Sequence, residues 1–513
     1  MRYPHPFLLL LGLATGCAST ATSAPDAAFD ITADTTQDTV TEAGSKRYVF
    51  PACDPTATTQ RVSFVHVNDL HASYTPLSDG ISPVARIVGF LQQSRAENPY
   101  TVFTDGGDDY EKGSVAELLS QGQATREIVR AMQFDVRVIG NHDYGWSEDE
   151  VLADSQDPVA HVLSSNIHYI GNDLDRFGAV EFTVMQIGCV KVGFFGLTSQ
   201  PWDSTDNLAP GDYYPDFPSN YDYVAVATDI VAKHRKEVDL LIAVDHIGLE
   251  ADQLLVQAVP GIDAILSGHS HSFTLMPLAD PAMPPVVQSG AFCQHVIRLD
   301  VDIDLKTRKI KHFDYETADL SQGSVTPVND AMNASVLAIV RKHAPEWDKP
   351  LATLAGAVGQ ADAAQLAARA ERAVLAVDAA LVDVYTTWTL WLPGELTQQK
   401  LAEMFKVERE PPGSPGFNAA YTAKITGGEL QKLQHLNPEN WAFVGPATID
   451  PQHVYTLGLQ KRTALNPAQM PDGVTVTEPM AAMEMWEVLD KYARARSQAC
   501  QYLDVDDKLP TCP

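Results

Sequence analysis

Short apolar runs rich in β-branched residues recur along much of the chain, and most are followed by a polar loop and a segment with helical spacing. VSFVHV at 62–67 precedes PVARIVGFLQQSR at 83–95, and TVFT at 101–104 precedes SVAELLSQGQATREIVRAM at 114–132. DVRVI at 135–139 precedes SEDEVLAD at 147–154. VEFTVMQIG and VKVGFFGL read as two strands about a tight turn at Gly188. YDYVAVATDIVAKHRKE reads as a helix before the strand DLLIAV, and EADQLLVQAV as a helix before DAILS. Strand, loop and helix in repetition predict crossover connections and a largely parallel sheet packed between helices. The paired runs near 285–304 and 308–315 predict an antiparallel pair.

Further along, 326–350 reads as one connecting helix, capped near Asn329 and ended by Pro345. A second domain then opens with an Ala-rich helical stretch at 361–382 and closes with the helix MAAMEMWEVLDKYARARSQA. Between them lie the strand-like YTAKI and VYTLGLQ and the loop EPPGSPGFN at 410–418.

The strands end in polar motifs. VNDLH supplies Asp69 and His71, DGGDD supplies Asp108, GNHD supplies Asn141 and His142, VDH supplies His246, and GHSH supplies His269 and His271. In parallel sheets ligands bind beyond the carboxyl ends of the strands, where these motifs fall. Acids, an amide and imidazoles gathered there match what two divalent cations sharing a carboxylate need.

Composition narrows the class. The chain has 513 residues, 45% of them hydrophobic, and a formal charge of -30. That excess argues against a nucleic-acid polymer as partner, since nothing would replace the counterions that a phosphate chain sheds. It suits a soluble protein outside the cytoplasm. The N-terminus MRYPHPFLLLLGLATGC has one Arg before a short apolar run, the layout of an export signal. Its Ala-Thr-Gly-Cys end resembles the bacterial lipoprotein cleavage box, which implies a signal peptide over 1–17 and a lipid on Cys17. Residues 18–58 are expected to act as a flexible tether, the Ala-, Thr- and Asp-rich part to about 46 having too little apolar surface to fold. The expected location is the cell envelope, on its periplasmic or extracellular face, with membrane contact only through the lipid. Five further cysteines remain: Cys189 reads as a buried small hydrophobe, and a local disulfide between Cys500 and Cys512 is plausible.

The motif set resembles the calcineurin-like metallophosphoesterases, and within them the 5′-nucleotidase family. The resemblance covers about 60–320, including VKVGFFGLTS and VVQSGAF. It implies a four-layer α/β sandwich over 59–325, the connector at 326–350, and a smaller α+β domain over 351–513. It implies one metal held by Asp69, His71, Asp108 and His271, and another held by Asp108, Asn141, His246 and His269. The pair would be Mn, Zn, Fe or Mg, with Asp108 bridging. The implied reaction is hydrolysis of a small-molecule phosphate ester, with nucleotides among the candidates, water activated by the metals and His142 as general acid.

Three departures stand out. The family run NHEFD ends in an acid that orients the histidine; here it is NHDYG, with Gly145 in that place, so that His142 either lacks its carboxylate partner or borrows Asp143 or another acid. Asp109 and Asp245 add acids beside Asp108 and His246. The C-terminal stretch ALVDVYTTWTLWLPGELT lacks the family's glycines and arginine, and DPQHVYTLGLQKRTALNP lacks its Gly-Gly-Asp. Trp388, Trp391 and Phe417 are aromatic candidates there, for the core or for stacking on a base. Two other readings stay open: a thiosulfohydrolase-like enzyme of sulfur oxidation, and a non-catalytic surface binding lipoprotein.

Overall fold

Two six-stranded sheets face each other across a dry core in a computed structural model that describes residues 47–111, 113–199, 216–276, 283–354, 356–387, 394–405 and 418–498. The first twelve strands are β1 Thr59–Val67, β2 Thr101–Asp105, β3 Val136–Val138, β4 His161–Leu163, β5 Phe182–Ile187 and β6 Val190–Phe195, then β7 Leu240–Val244, β8 Ala264–Leu266, β9 Phe273–Met276, β10 Val286–Ser289, β11 His295–Asp304 and β12 Lys309–Asp319. One sheet runs β12-β11-β1-β2-β3-β4 and the other β5-β6-β7-β8-β10-β9. The central strands β1 to β4 are parallel, as are β6, β7, β8 and β10; the outer pairings β1 with β11, β11 with β12, β5 with β6 and β9 with β10 are antiparallel.

The period of two explains the layering. In β1, Val62 and Phe64 face the second sheet, while Val65 and Val67 face the helices outside. In β7, Leu240, Ile242 and Val244 point inward and Leu241 and Ala243 outward. Phe64 and Phe194 meet edge to face across the interface, 6.2 Å between ring centres. Helices Pro83–Glu97, Gln123–Met132 and Asp330–His343 cover the first sheet, and Tyr223–His234 and Leu249–Ala258 the second. The result is the expected four layers, with two sheets where the repetition of elements alone predicted one.

Several boundaries differ from expectation. The helix predicted over 114–132 is two, Val115–Ser120 and Gln123–Met132. Gly122 breaks it at φ +93, and a Cβ there would lie 2.7 Å from the Trp146 ring. The run 285–304 is also two strands: β10 belongs to the second sheet and β11 crosses to the first. The connecting helix is Asp330–His343, capped by Asn329 through a 2.7 Å bond from Met332 N. It is no bare spacer, because Met332, Val336 and Val340 are buried in the outer core of the first sheet.

The C-terminal domain is built on strands β13 Pro350–Leu354, β14 Ala379–Asp383, β15 Gly394–Thr397, β16 Ala419–Thr426, β17 Trp441–Val444, β18 Val454–Gln460 and β19 Thr477–Glu484. Five form a sheet in the order β17-β14-β18-β16-β19. The Ala-rich helix ends at Val374, and AALVD beyond it is β14; likewise the last helix begins only at Met485, because the residues before it pair as β19 with β16. Helices Gln360–Val374 and Met485–Gln498 pack on one face of the sheet.

Cys189 is not a lone buried hydrophobe: it is disulfide-bonded to Cys53. That bond, the Arg95 guanidinium 3.8 Å over the Tyr48 ring and the bridge between Ala52 and Gly188 tie residues 47–58, the end of the expected tether, to the folded domain. Cys293 is the free cysteine among the described residues, and it is buried. Cys17, Cys500, Cys512, Trp388, Trp391 and Phe417 lie outside the described residues. No helix among the described residues is long and apolar enough to cross a membrane.

Candidate metal centre

The seven residues singled out as ligands converge at the carboxyl ends of strands from both sheets. Asp69 and His71 follow β1, Asp108 follows β2 and Asn141 follows β3; His246 follows β7, while His269 and His271 follow β8. Two trios form, Asp69 with His71 and His271, and Asp108 with His246 and His269, each with its ligand atoms within 4.8 Å of one another. Each trio draws on both sheets. Asn141 joins the second: its Oδ1 lies 3.1 Å from His246 Nε2 and 2.9 Å from His269 Nδ1. Ser199 Oγ donates to the same oxygen at 3.0 Å.

Backbone geometry makes the convergence possible. Asp69, His71, Asp108, His269 and His271 all have positive φ, between 45° and 78°. Non-glycine residues rarely hold that conformation, and clusters of it mark sites where function sets the backbone.

The polar groups behind the ligands fix their orientation. Asp69 Oδ2 accepts from Asn68 Nδ2 at 2.5 Å and from His269 N at 2.9 Å, and Asn68 in turn accepts from Ser289. Asp108 Oδ1 accepts from His142 N at 2.7 Å. His71 Nδ1 faces the Tyr110 carbonyl at 3.1 Å and His246 Nδ1 the Gly106 carbonyl at 2.6 Å. Carbonyls accept only, so both Nδ1 atoms carry protons and both Nε2 atoms turn to the centre.

The atoms left facing the centre fit cations. Asp69 Oδ1 is buried and receives no hydrogen bond among the described residues, with His271 Nε2 at 3.2 Å and His71 Nε2 at 3.7 Å. His71 Nε2 and His271 Nε2 point at each other across 3.0 Å. Asp108 Oδ2 stands 2.9 Å from His246 Nε2 and 3.9 Å from His71 Nε2, facing members of both trios. Burial and neighbouring histidines hold His71 and His269 down to about 4, so both are neutral donors at neutral pH. Burial opposes charge on His246 as well, but Asp108 and Asp69 outweigh it and raise it to about 10. The carboxylates call for positive charge at the place where a cation would sit.

His142 lies beside the first trio, its ring 4.9 Å from that of His71, with its side chain 32% exposed. Asp143 does not orient it. Both Asp143 oxygens turn inward to backbone N–H groups of Gly140 at 2.6 Å, Asp109 at 2.8 Å and Asp108 at 3.2 Å. The acid at His142 Nδ1 is Glu111. The sequence pointed to "another acid" without locating it; the only signal was a carboxylate three residues beyond Asp108 in the DGGDDYE run.

The two extra acids do not load the centre with charge. Asp109 Oδ2 is paired with the buried Arg137 at 2.5 Å. Asp245 is fully buried beside Asp252, and burial with that second carboxyl raises it well above the ordinary carboxylate range. Beyond the first trio, Phe292 packs against His71 and His271 and forms one wall of a cavity of about 680 Å³. Asp319, Gln322 and Glu403 also line it, and no Lys or Arg is among its described lining residues. Glu403 comes from the C-terminal domain, whose Gln399 bonds Gly113 O at 2.6 Å and Val115 N at 3.0 Å.

Residues 62–273 match the family model of the calcineurin-like phosphoesterases, and the chain carries a domain of that class. Its relatives include 5′-nucleotidases: the rat enzyme is 25% identical over 286 residues, 49% of this chain and 48% of that protein. The chain spans about half the length of the curated relatives it matches. Among solved structures, the 5′-nucleotidase precursor from Thermus thermophilus superposes with a TM-score of 0.63 at 17% identity, covering 85% of this chain and 96% of the other. The sulfate thiohydrolase SoxB from the same genus superposes at 0.56 and 16% identity, covering 87% and 95%. At these identities the likeness shows the fold, second C-terminal domain included.

Proposed function

We propose that the protein is a dinuclear-metal hydrolase of phosphate monoesters, of 5′-nucleotidase type. The observation that carries this is the pair of trios, each assembled from both sheets, with His142 at their edge and a cavity at their side. Asp69, His71, Asp108 and His271 would hold one divalent cation, and Asp108, Asn141, His246 and His269 the other. Such a pair, drawn from Mn, Zn, Fe or Mg, supplies Lewis-acid charge and lowers the pKa of water.

The chain's own residues do the rest. Neutral His71 and His269 keep lone pairs available. Carbonyls and Asn68 hold the ligands against rotation, so little reorganises during turnover. His142 has Nδ1 engaged by Glu111, which leaves Nε2 to donate a proton to the departing alkoxide. The cavity beside Phe292 takes the leaving group, and its acidic lining favours one without further phosphates.

We also place the protein in the cell envelope, lipid-anchored at Cys17. The Cys53–Cys189 disulfide supports an oxidising compartment. Fatty-acid labelling lost in Cys17→Ala is the check on the anchor.

The function is tested by metal analysis and a screen of nucleotides, sugar phosphates and bis(p-nitrophenyl) phosphate. Phosphate release from the monoesters that stops on chelation and returns with metal supports the reading; p-nitrophenol from the diester alone counts against a monoesterase. Sulfate release from a thiosulfonate-type substrate, or binding without turnover, would replace it.

A further inference from the structure

Glu111 is fully buried, yet its carboxylate meets a histidine that is one-third exposed at the mouth of the centre. Its backbone sits at φ +68, a conformation a glutamate holds only when its surroundings impose it. Its N–H donates to Glu117 Oε1 at 2.7 Å, and Glu117 also accepts from Thr125 Oγ1 and from Trp146 Nε1 at 3.0 Å. The backbone that carries Glu111 is thus held by a buried polar network.

Gly145 explains how it reaches His142. Its φ of −66° and ψ of −34° are open to any residue, so its backbone does not require glycine. What the glycine supplies is space: a Cβ there would lie 2.0 Å from Glu111 Oε1 and 2.8 Å from Glu111 Cδ. A side chain at 145 and the Glu111 carboxylate exclude each other. Asp143, the other acid within reach by sequence, is occupied by backbone N–H groups.

We propose that Glu111 is the positioning residue for His142, and that Gly145 is the space-maker that admits it. The acid–imidazole pair is built from the loop after β2 instead of from the turn that carries His142. Glu111 accepts a hydrogen bond from Nδ1–H, which fixes the tautomer and stabilises the imidazolium; Nε2–H then passes its proton to the leaving oxygen, leaving a neutral imidazole still protonated at Nδ1. This rests on His142 acting as the general acid.

The test compares wild type, Glu111→Ala, Glu111→Gln, Gly145→Asp and the double variant Glu111→Ala/Gly145→Asp, each also with His142→Ala. Substrates are an alkyl phosphate (a nucleoside monophosphate) and p-nitrophenyl phosphate, whose leaving group hardly needs a proton. In Glu111→Ala, kcat on the alkyl ester should fall about 10- to 100-fold, with KM and metal content retained, and fall less than about threefold on the aryl ester. Glu111→Gln, which keeps the volume, should show the same split. The effect should vanish in the His142→Ala background. Gly145→Asp alone should be impaired by collision, and the double variant should recover at least about tenfold over Glu111→Ala on the alkyl ester.

Equal losses on both esters, or a further loss from Glu111→Ala when His142 is already gone, would overturn the inference. Wild-type activity in both Glu111 variants beside an inactive His142→Ala would sink it and leave the proposed function standing. Should wild type hydrolyse no ester, the proposed function fails, and proton NMR still decides the pairing. The downfield His142 Hδ1 resonance should be present in wild type and absent in Glu111→Ala; its persistence in that variant rejects the pair.

Discussion

Arg137 Nη2 lies 2.5 Å from Asp109 Oδ2, fixing the residue that follows Asp108. The same buried guanidinium reaches Asp105 and Asp154 at 3.2 Å and Asp157 at 3.8 Å. Removing the cation would leave four carboxyls without it in a dry environment. Arg137→Met should cost about 3–5 kcal/mol at neutral pH, the scale of breaking a buried ion pair from one side. The deficit should shrink as pH falls and the acids protonate. Urea unfolding at two pH values checks both statements.

Glu117 gives a pH signature in stability. Burial outweighs its three donors and raises it to about 8, against an ordinary 4.5. Between those values the native state binds more protons than the unfolded one. Stability contributed by this group is therefore full below about 4.5 and is lost as pH rises to about 8, with a slope of at most about 1.4 kcal/mol per pH unit. Glu117→Gln keeps the neutral shape and should flatten that window. Midpoints of denaturation from pH 5 to 9, wild type against variant, are the measurement.

The disulfide between Cys53 and Cys189 closes a sequence separation of 136 residues. Reduction, or Cys53→Ser with Cys189→Ser, should lower stability by about 2–4 kcal/mol. The ligand atoms are tied by bonds elsewhere, so metal content should stay unchanged. Thermal melts with and without reductant, read beside elemental analysis, test this.

The lining of the cavity beside Phe292 predicts a substrate preference. Its described lining includes the acids Asp319 and Glu403 and no Lys or Arg. A nucleoside monophosphate should exceed the corresponding triphosphate in kcat/KM by about tenfold or more, the scale of one like-charge contact near a protein surface. Glu403→Gln should narrow that ratio. Steady-state kinetics on the pair of substrates decides it.

Why the converging acids and imidazoles could be read from the polymer, and the acid that meets His142 could not, has a physical reason. Asp69, His71, His246 and His271 sit at the ends of apolar runs, and period-two strands in a parallel sheet bring such ends together whatever the helices between them do. Glu111 lies in a loop with no period, and its reach depends on a side chain missing from Gly145, which only packing reveals. The halving of 114–132 turns on two consecutive positive φ values, at Gln121 and Gly122. The strand β14 is hidden in an Ala-rich stretch because alanine's strong helix preference masks a short buried strand. Cys189 looked inert because its partner lies on a segment with no secondary structure signal of its own.

Since each trio takes members from both halves of the sandwich, an ion seated there acts as a rivet through two plates. Its affinity and the docking of the plates are one equilibrium, so whatever pries the halves apart must also expel the ion, and saturation with the right ion raises the melting point in proportion to the logarithm of its concentration. The melting curve becomes a way for the protein itself to say which element it was built to hold.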